Sequence, residues 1–135
     1  MPTVYRPRVI LAEDHARVAE QLHRLLAPEF DIVAIVPDGH ALLRAVEATA
    51  PDVIVADIMM PGLDGITATA MVLARCPATR VVLVTAHDDP ELAARGYAAG
   101  ALGYVSKHRA AQELVTAVRA AARGDRYQST RRPLT

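Results

Sequence analysis

The fold is decided by an apolar run that ends in one carboxylate and a turn: Val53-Ile54-Val55-Ala56-Asp57-Ile58-Met59-Met60-Pro61-Gly62. An apolar run of this length, bounded by turn signals, is typical of a β-strand buried on both faces. Asp57 then stands at the carboxyl end of that strand, the edge at which open α/β sheets bind their ligands. We therefore take Asp57 as a candidate phosphate acceptor.

The composition excludes several classes of protein. Apolar residues make up 52% of the 135 residues and aromatic residues 4%, so we expect one domain with an aliphatic core. The formal net charge is 0, which gives no electrostatic case for binding nucleic acid or a membrane surface. Cys76 is the only cysteine, which suits the reducing cytoplasm. No stretch approaches the ~18 apolar residues of a membrane span.

Strand-like and helix-like patterns alternate five times along the chain. Apolar runs start near residues 9, 32, 53, 81 and 101, and a helical pattern follows each of them. The fourth helix is expected to start at Asp88-Asp89-Pro90-Glu91 and, with Gly96 inside it, to be weakly anchored. The alternation predicts an α/β fold with a doubly wound, five-stranded parallel sheet of order 2-1-3-4-5, the flavodoxin-like (βα)5 arrangement. Residues 1–124 would form this domain, and residues 125–135 a basic linker or tail.

Polar side chains directly follow four of the five predicted strands. In strand order they are Glu13 with Asp14, then Asp57, Thr85 and Lys107. Because the carboxyl ends of parallel strands share one edge, these groups should converge. Two unit charges ~4 Å apart repel by about 4 kcal/mol at an effective dielectric of 20, so three clustered carboxylates need cations. Lys107 supplies one positive charge, and an all-oxygen ligand set suits Mg²⁺ or Mn²⁺.

This combination of groups is that of a phosphoryl-transfer site. Asp57 can act as a nucleophile toward phosphorus. Lys107 can bind a phosphoryl oxygen, and Thr85 can donate a hydrogen bond to the transferred group. The histidines form no ligand pattern and are expected at the surface or in loops; they are His15, His23, His40, His87 and His108.

Together these motifs resemble the receiver domain of bacterial two-component response regulators, over residues 7–124. The stretches that carry the resemblance are Glu13-Asp14, Asp57-Ile58-Met59-Met60-Pro61-Gly62-Leu63-Asp64-Gly65, Val84-Thr85-Ala86 and Ala99-Gly100-Ala101-Leu102-Gly103-Tyr104-Val105-Ser106-Lys107. The last stretch is most similar to the NarL/FixJ (LuxR-type) branch. The resemblance implies a phosphorylation-dependent signalling switch rather than an enzyme, although such domains catalyse their own phosphorylation and dephosphorylation.

The resemblance also implies roles for individual residues. Asp57 would accept a phosphoryl group from a sensor histidine kinase. The metal ligands would be Glu13, Asp14, Asp57 and the backbone carbonyl of Met59. Thr85 and Lys107 would bind the phosphoryl group. Thr85 and Tyr104 would be the switch residues, and Tyr104 is expected to move inward when Asp57 is phosphorylated.

Partners follow from the same resemblance. We expect a homodimer on phosphorylation and an output on transcription, through a DNA-binding helix-turn-helix domain that lies beyond this chain. Pro133-Leu134-Thr135 is similar to the opening of such a domain. No recognition helix is present in the sequence, so this chain alone should not bind specific DNA sequences.

Two positions depart from common receiver patterns or vary among receivers. Lys107 is followed by His108 and not by Pro, so a trans peptide bond is expected there. Met59 is bulky and is expected to shield an acyl phosphate from water.

Met59 also argues against an aspartate-nucleophile phosphatase, which needs a second Asp at that position, and no Gly-rich loop supports a flavodoxin-like cofactor binder. A degenerate or single-domain receiver that acts as a docking module stays open as an alternative.

Overall fold

The structure, a computed structural model, describes residues 5–87 and 89–128. Its strands are β1 (Arg8–Ala12), β2 (Asp31–Val36), β3 (Val53–Asp57), β4 (Arg80–Thr85), β5 (Gly103–Ser106) and β6 (Tyr127–Gln128). Its helices are α1 (Ala16–Leu26), α2 (Gly39–Thr49), α3 (Gly65–Arg75), α4 (Pro90–Ala98) and α5 (Ala110–Ala122), with a 3₁₀ turn at Lys107–Arg109 before α5. Among the residues so described, no helix is long and apolar enough to cross a lipid bilayer.

The strands form one parallel sheet in the order β2-β1-β3-β4-β5-β6. The predicted fold class and the order of the first five strands are therefore confirmed. β3 lies between β1 and β4, and Val55 pairs with Leu11 on one side and Val82 on the other. All five residues of β3 are buried, as expected of a strand covered on both faces.

The helices cover both faces of the sheet. Val53 and Val55 of β3 pack in the cluster that contains residues of α1 and α5. Ile54 and Ala56 pack in the opposite cluster, which contains residues of α2 and α3 and against which α4 packs. Successive strand residues point to opposite faces, so one apolar run contributes to both cores. β3 is thereby held firmly up to its last residue, Asp57.

Aspartates cap three of the helices. Asp38 accepts a hydrogen bond from the Ala41 amide at α2, and Asp64 accepts one from the Thr67 amide at α3. Asp89 caps α4, as predicted, whereas Asp88 lies outside the described residues. Gly96 is the only buried residue of α4, in agreement with the expected weak anchoring of this helix.

The sixth strand was not predicted. Gly124 has a φ of +82°, a backbone conformation that glycine adopts readily, and it turns the chain back after α5. β6 then pairs with β5, so residues that the sequence assigned to a linker extend the sheet. A two-residue polar strand has no periodicity that the sequence could show. The boundary at residue 124 stays a prediction, and Pro133-Leu134-Thr135 lies outside the described residues.

Candidate functional site

Four polar side chains lie at the carboxyl edge of the sheet. Asp57 is the last residue of β3 and Thr85 the last of β4, while Lys107 directly follows β5. Glu13 directly follows β1, and its amide donates to the carbonyl of Val36, 2.9 Å away. The structure therefore places these predicted residues at one edge of four adjacent strands.

Lys107 joins two buried carboxylates. Its Nζ lies 2.7 Å from Glu13 Oε1 and 2.8 Å from Asp57 Oδ2. The Lys107 side chain is 16% exposed, against 0% for Glu13 and 3% for Asp57. Burial lowers the pKa of Lys107, but the hydrogen bonds and charges of Asp57 and Glu13 outweigh burial and raise the pKa above its usual value. One positive charge thus faces two negative charges, and a second cation would balance the remaining negative charge.

The loop after Asp57 fixes the backbone of this residue. Oδ1 of Asp57 accepts a hydrogen bond from the Met59 amide at 3.1 Å. The Gly65 amide donates to the carbonyl of Ile58 at 2.9 Å, and a Cβ at Gly65 would lie 2.3 Å from the carbonyl oxygen of Asp57. Only glycine fits so close to another backbone. The Met59 side chain is 56% exposed, on the open side of the loop.

Glu13, Asp14 and His15 form a cluster at the same edge. One potential ligand atom of each lies within 4.8 Å of the others, and His15 Nδ1 is 3.2 Å from Asp14 Oδ1. Glu13 Oε1 is buried, and its partner is Lys107 Nζ at 2.7 Å, an ion pair that lacks good hydrogen-bond geometry. A buried anionic oxygen that shares its ion-pair partner with another carboxylate fits a hard divalent cation. The carboxylates of the predicted ligands are of the chemical type that Mg²⁺ prefers; Glu13 and Asp57 are buried, whereas Asp14 is exposed.

Sequence reasoning missed the position of His15. The histidines were expected to form no ligand pattern, yet His15 Nδ1 also lies 3.3 Å from Glu13 Oε2. The signal in the sequence was that His15 directly follows the acidic pair Glu13 and Asp14. The His15 side chain is 70% exposed, so it borders the cluster from the solvent side.

Thr85 is connected to Tyr104 through the loop that follows β4. The Thr85 hydroxyl is fully buried and accepts a hydrogen bond from the His87 amide at 3.1 Å. The Tyr104 hydroxyl donates to the His87 carbonyl at 2.9 Å, and the Tyr104 ring is buried. The Tyr104 ring thus lies inward in this structure, and its movement on phosphorylation of Asp57 stays a prediction. The loop backbone links the two predicted switch residues.

Comparison with known proteins identifies related sequences over most of the chain. A family model described as the response regulator receiver domain matches residues 9–119. The transcriptional regulatory protein YxjL of Bacillus subtilis, described as uncharacterized, is 37% identical over 120 residues, which are 87% of this chain and 55% of YxjL. The transcriptional regulatory protein DegU of Brevibacillus brevis is 36% identical over 122 residues, which are 89% of this chain and 52% of DegU. The chain thus spans about half the length of these curated relatives.

A solved structure shows the same similarity in three dimensions. The signal receiver domain of the putative response regulator NarL from Mycobacterium tuberculosis superposes with a TM-score of 0.85 and 34% sequence identity. The match covers 90% of this chain and 99% of the NarL domain.

Proposed function

We propose, since the chain belongs to the response regulator receiver domain family, that it is a signalling switch controlled by phosphorylation of Asp57. The observation that carries this proposal is the buried ion-pair arrangement in which Lys107 contacts both Glu13 and Asp57. A nucleophilic carboxylate, a cation that can bind a phosphoryl oxygen and an acidic pair with metal-binding character lie at one sheet edge. That is the set of groups that phosphoryl transfer to an aspartate requires.

The transfer step uses Asp57 as the nucleophile. A carboxylate oxygen of Asp57 attacks the phosphorus of a phosphohistidine, a P–O bond forms and the P–N bond breaks. The imidazole leaves with the electron pair and takes a proton from solvent. The product is an acyl phosphate on Asp57, which water can later hydrolyse to restore the carboxylate.

Other residues hold the transferred group. Glu13, Asp14, Asp57 and the carbonyl of Met59 would hold Mg²⁺ or Mn²⁺, which when bound offsets the charge of the phosphoryl oxygens. Lys107 would exchange its contact with the Asp57 carboxylate for a phosphoryl oxygen. The Thr85 hydroxyl, which accepts from the His87 amide, still has its own proton to donate to the phosphoryl group.

The switch would pass from Thr85 through the β4–α4 loop to Tyr104 and α4. Moving a two-state population from 1:99 to 99:1 takes about 5.5 kcal/mol of preference for one state. Hydrogen bonds to a charged group contribute ~1.5–3 kcal/mol each, so a few bonds from one phosphoryl group are sufficient. Among the five α-helices, α4 is the most easily displaced, because only Gly96 of this helix is buried.

The partners are proposals of the same kind. A sensor histidine kinase would supply the phosphoryl group in the cytoplasm. YxjL and DegU are named as transcriptional regulatory proteins and are nearly twice as long as the matched region, which supports an output on transcription through a further DNA-binding domain. A homodimer formed on phosphorylation would be compatible with such an output.

The switch can be tested with Mg²⁺ and beryllofluoride, an analogue of the phosphoryl group. We expect amide chemical-shift changes at Thr85 and throughout α4 in the wild type. Thr85→Ala should confine the changes to the Asp57 loop, whereas the control Thr85→Ser, which keeps the hydroxyl, should restore them. Changes confined to residues 57–65 in the wild type would contradict the switch. No change at all would favour a receiver that acts only as a docking module.

A further inference from the structure

A cleft opens at the amino edge of the sheet, opposite the edge that carries Asp57. It has a volume of about 490 Å³, a size typical of small-molecule sites. Residues 5–7, which precede β1, and residues 28–30, which precede β2, line it together with residues near the end of α5. The five residues of β1 span about 16 Å between the two edges. The cleft is therefore separate from the site at Asp57.

Apolar groups make up most of the wall of the cleft. Phe30 is almost fully buried in the core, and Pro7 and Pro28 contribute rings with little conformational freedom. The Tyr5 ring is tethered through its hydroxyl, which donates to Asp52. Because these groups are already held in place, a ligand would lose little binding energy to ordering the wall. The cleft is thus largely preformed and suits an apolar group.

Positive charge exceeds negative charge around the cleft. Its lining contains three arginines and one carboxylate. Arg119 and Glu29 neutralise each other in a bidentate pair, with N–O distances of 2.6 and 2.7 Å. Arg123 Nε lies 3.2 Å from Asp125 Oδ2. Arg6 makes no ion pair with any carboxylate in the part of the chain that the structure describes, so one positive charge at the cleft is uncompensated.

The Arg6 guanidinium is held in place by backbone carbonyls. Its Nη2 donates to the carbonyl of Ala27, at the end of α1, and to that of Phe30 at 3.0 Å. Its Nε and Nη1 donors have no partner within residues 5–87 and 89–128. Guanidinium donors of this kind bind carboxylates through charge-assisted hydrogen bonds. Arg6 thus offers an oriented cation at the border of an apolar cleft.

We propose that this cleft is a second ligand site, independent of Asp57, which binds a small monocarboxylate with an aromatic body. The carboxylate binds the free donors of Arg6, and the ring lies against Phe30 and the two prolines. One uncompensated positive charge suits a monoanion. The apolar wall suits a ring, because a strongly hydrated body would lose water on entry without gaining polar partners.

A titration followed by amide chemical shifts tests the site, with 3-phenylpropanoate as the probe. We expect saturable binding at one site, with shifts at Phe30 and at the end of α5. The neutral 3-phenylpropanamide lacks the charge and propanoate lacks the ring. Each should bind at least about ten-fold more weakly, because it loses a charged hydrogen bond or the burial of a ring. Asp57→Asn should bind the probe like the wild type.

Two variants test the cleft by different routes. Arg6→Gln removes the charge and should weaken binding of 3-phenylpropanoate at least about ten-fold. Since Arg6 also bonds two carbonyls, Ala122→Leu provides a second route: it fills the cleft, leaves Arg6 unchanged and should weaken binding to a similar extent. Arg75→Gln is the matched control, because Arg75 pairs with Glu47 on the opposite face of the sheet, and it should bind normally.

The contradicting results are equally specific. The proposal fails if 3-phenylpropanoate does not bind, if the neutral amide binds equally well, or if either Arg6→Gln or Ala122→Leu keeps the wild-type affinity. Phenyl phosphate that binds at least about ten-fold more tightly than 3-phenylpropanoate would overturn the assignment to a monocarboxylate. None of these results depends on phosphorylation, so the site at Asp57 and this cleft stand or fall separately.

Discussion

Lys107 Nζ lies 2.8 Å from Asp57 Oδ2, so the proposed phosphoryl acceptor is bonded to the cation that would later bind the phosphoryl group. The same ammonium contacts Glu13, and both carboxylates are almost fully buried. Lys107 is the only lysine in the chain, where all other strongly basic residues are arginines. Its compact ammonium on a flexible stem can exchange one oxygen partner for another, which the planar guanidinium of arginine does less readily.

Removal of the Lys107 charge should destabilise the fold. Lys107→Met keeps a long side chain but leaves Glu13 and Asp57 buried with no cation between them. We expect the free energy of unfolding to fall by about 3 kcal/mol, the lower end of the cost of breaking a buried ion pair on one side. Urea denaturation without divalent ions measures this cost. Mg²⁺ should restore more stability in the variant than it adds to the wild type, and an unchanged unfolding free energy without Mg²⁺ would contradict the proposed charge balance.

The pKa of Lys107 gives a pH dependence with a definite sign. The pKa is raised in the folded state, chiefly by Asp57 and Glu13 acting against burial. The ion pairs therefore contribute stability that is fully present from neutral pH up to the unfolded pKa, about 10.4, and that is lost as the pH rises through the folded value. Because Lys107 is the only lysine, the carbon resonance of its side chain can be titrated alone. Asp57→Asn should lower the midpoint, and a wild-type midpoint below about 10.4 would contradict the prediction.

Gly65 should be intolerant of even a methyl group. In most helix positions Gly→Ala stabilises a protein by up to about 1 kcal/mol. At Gly65 the added Cβ would lie 2.3 Å from the Asp57 carbonyl oxygen, so backbone must move. We expect Gly65→Ala to cost about 2 kcal/mol in urea denaturation, as overpacking does, and to slow phosphorylation of Asp57 by acetyl phosphate. A neutral or stabilising effect would show that this close approach does not position Asp57.

Met59 should set the lifetime of the acyl phosphate. Its side chain is 56% exposed beside Asp57, where it can cover the phosphoryl group from solvent. In Met59→Asn an amide can instead orient a water molecule toward phosphorus, and we expect dephosphorylation to be roughly ten-fold faster, about 1.4 kcal/mol in the barrier. The control Met59→Leu should keep the wild-type rate. Loss of phosphate from the Asn variant no faster than from the wild type would contradict the shielding role.

The sequence predicted the positions of those site residues that each follow from one strand alone. An apolar run followed by a polar residue located Asp57, Thr85 and Lys107 at one edge, because parallel strands all end on the same side of the sheet. The alternation of strands and helices is likewise visible in short stretches of sequence. Together with right-handed crossovers, it predicted the order of the first five strands. These features follow from hydrophobic patterning, which the sequence shows directly.

Contacts between distant residues could not be predicted in the same way. The strand β6 depends on hydrogen bonds from Tyr97 to Tyr127 and from Tyr127 to Glu113, and neither pair has a signature in the sequence. The inward position of Tyr104 likewise depends on the backbone of the loop after β4. The tight approach of Gly65 to Asp57 could not be predicted either, since the sequence shows a glycine but not what it touches.

Asp57 is proposed to accept a phosphoryl group with the help of a divalent cation. Intact-protein mass spectrometry after incubation with Mg²⁺ and acetyl phosphate tests it most directly, on the wild type and on Asp57→Asn. The wild type should gain the mass of one phosphoryl group, this gain should require Mg²⁺, and Asp57→Asn should gain none. An equal gain in the Asp57→Asn variant, or no gain in a wild type that binds Mg²⁺ and beryllofluoride, would contradict it.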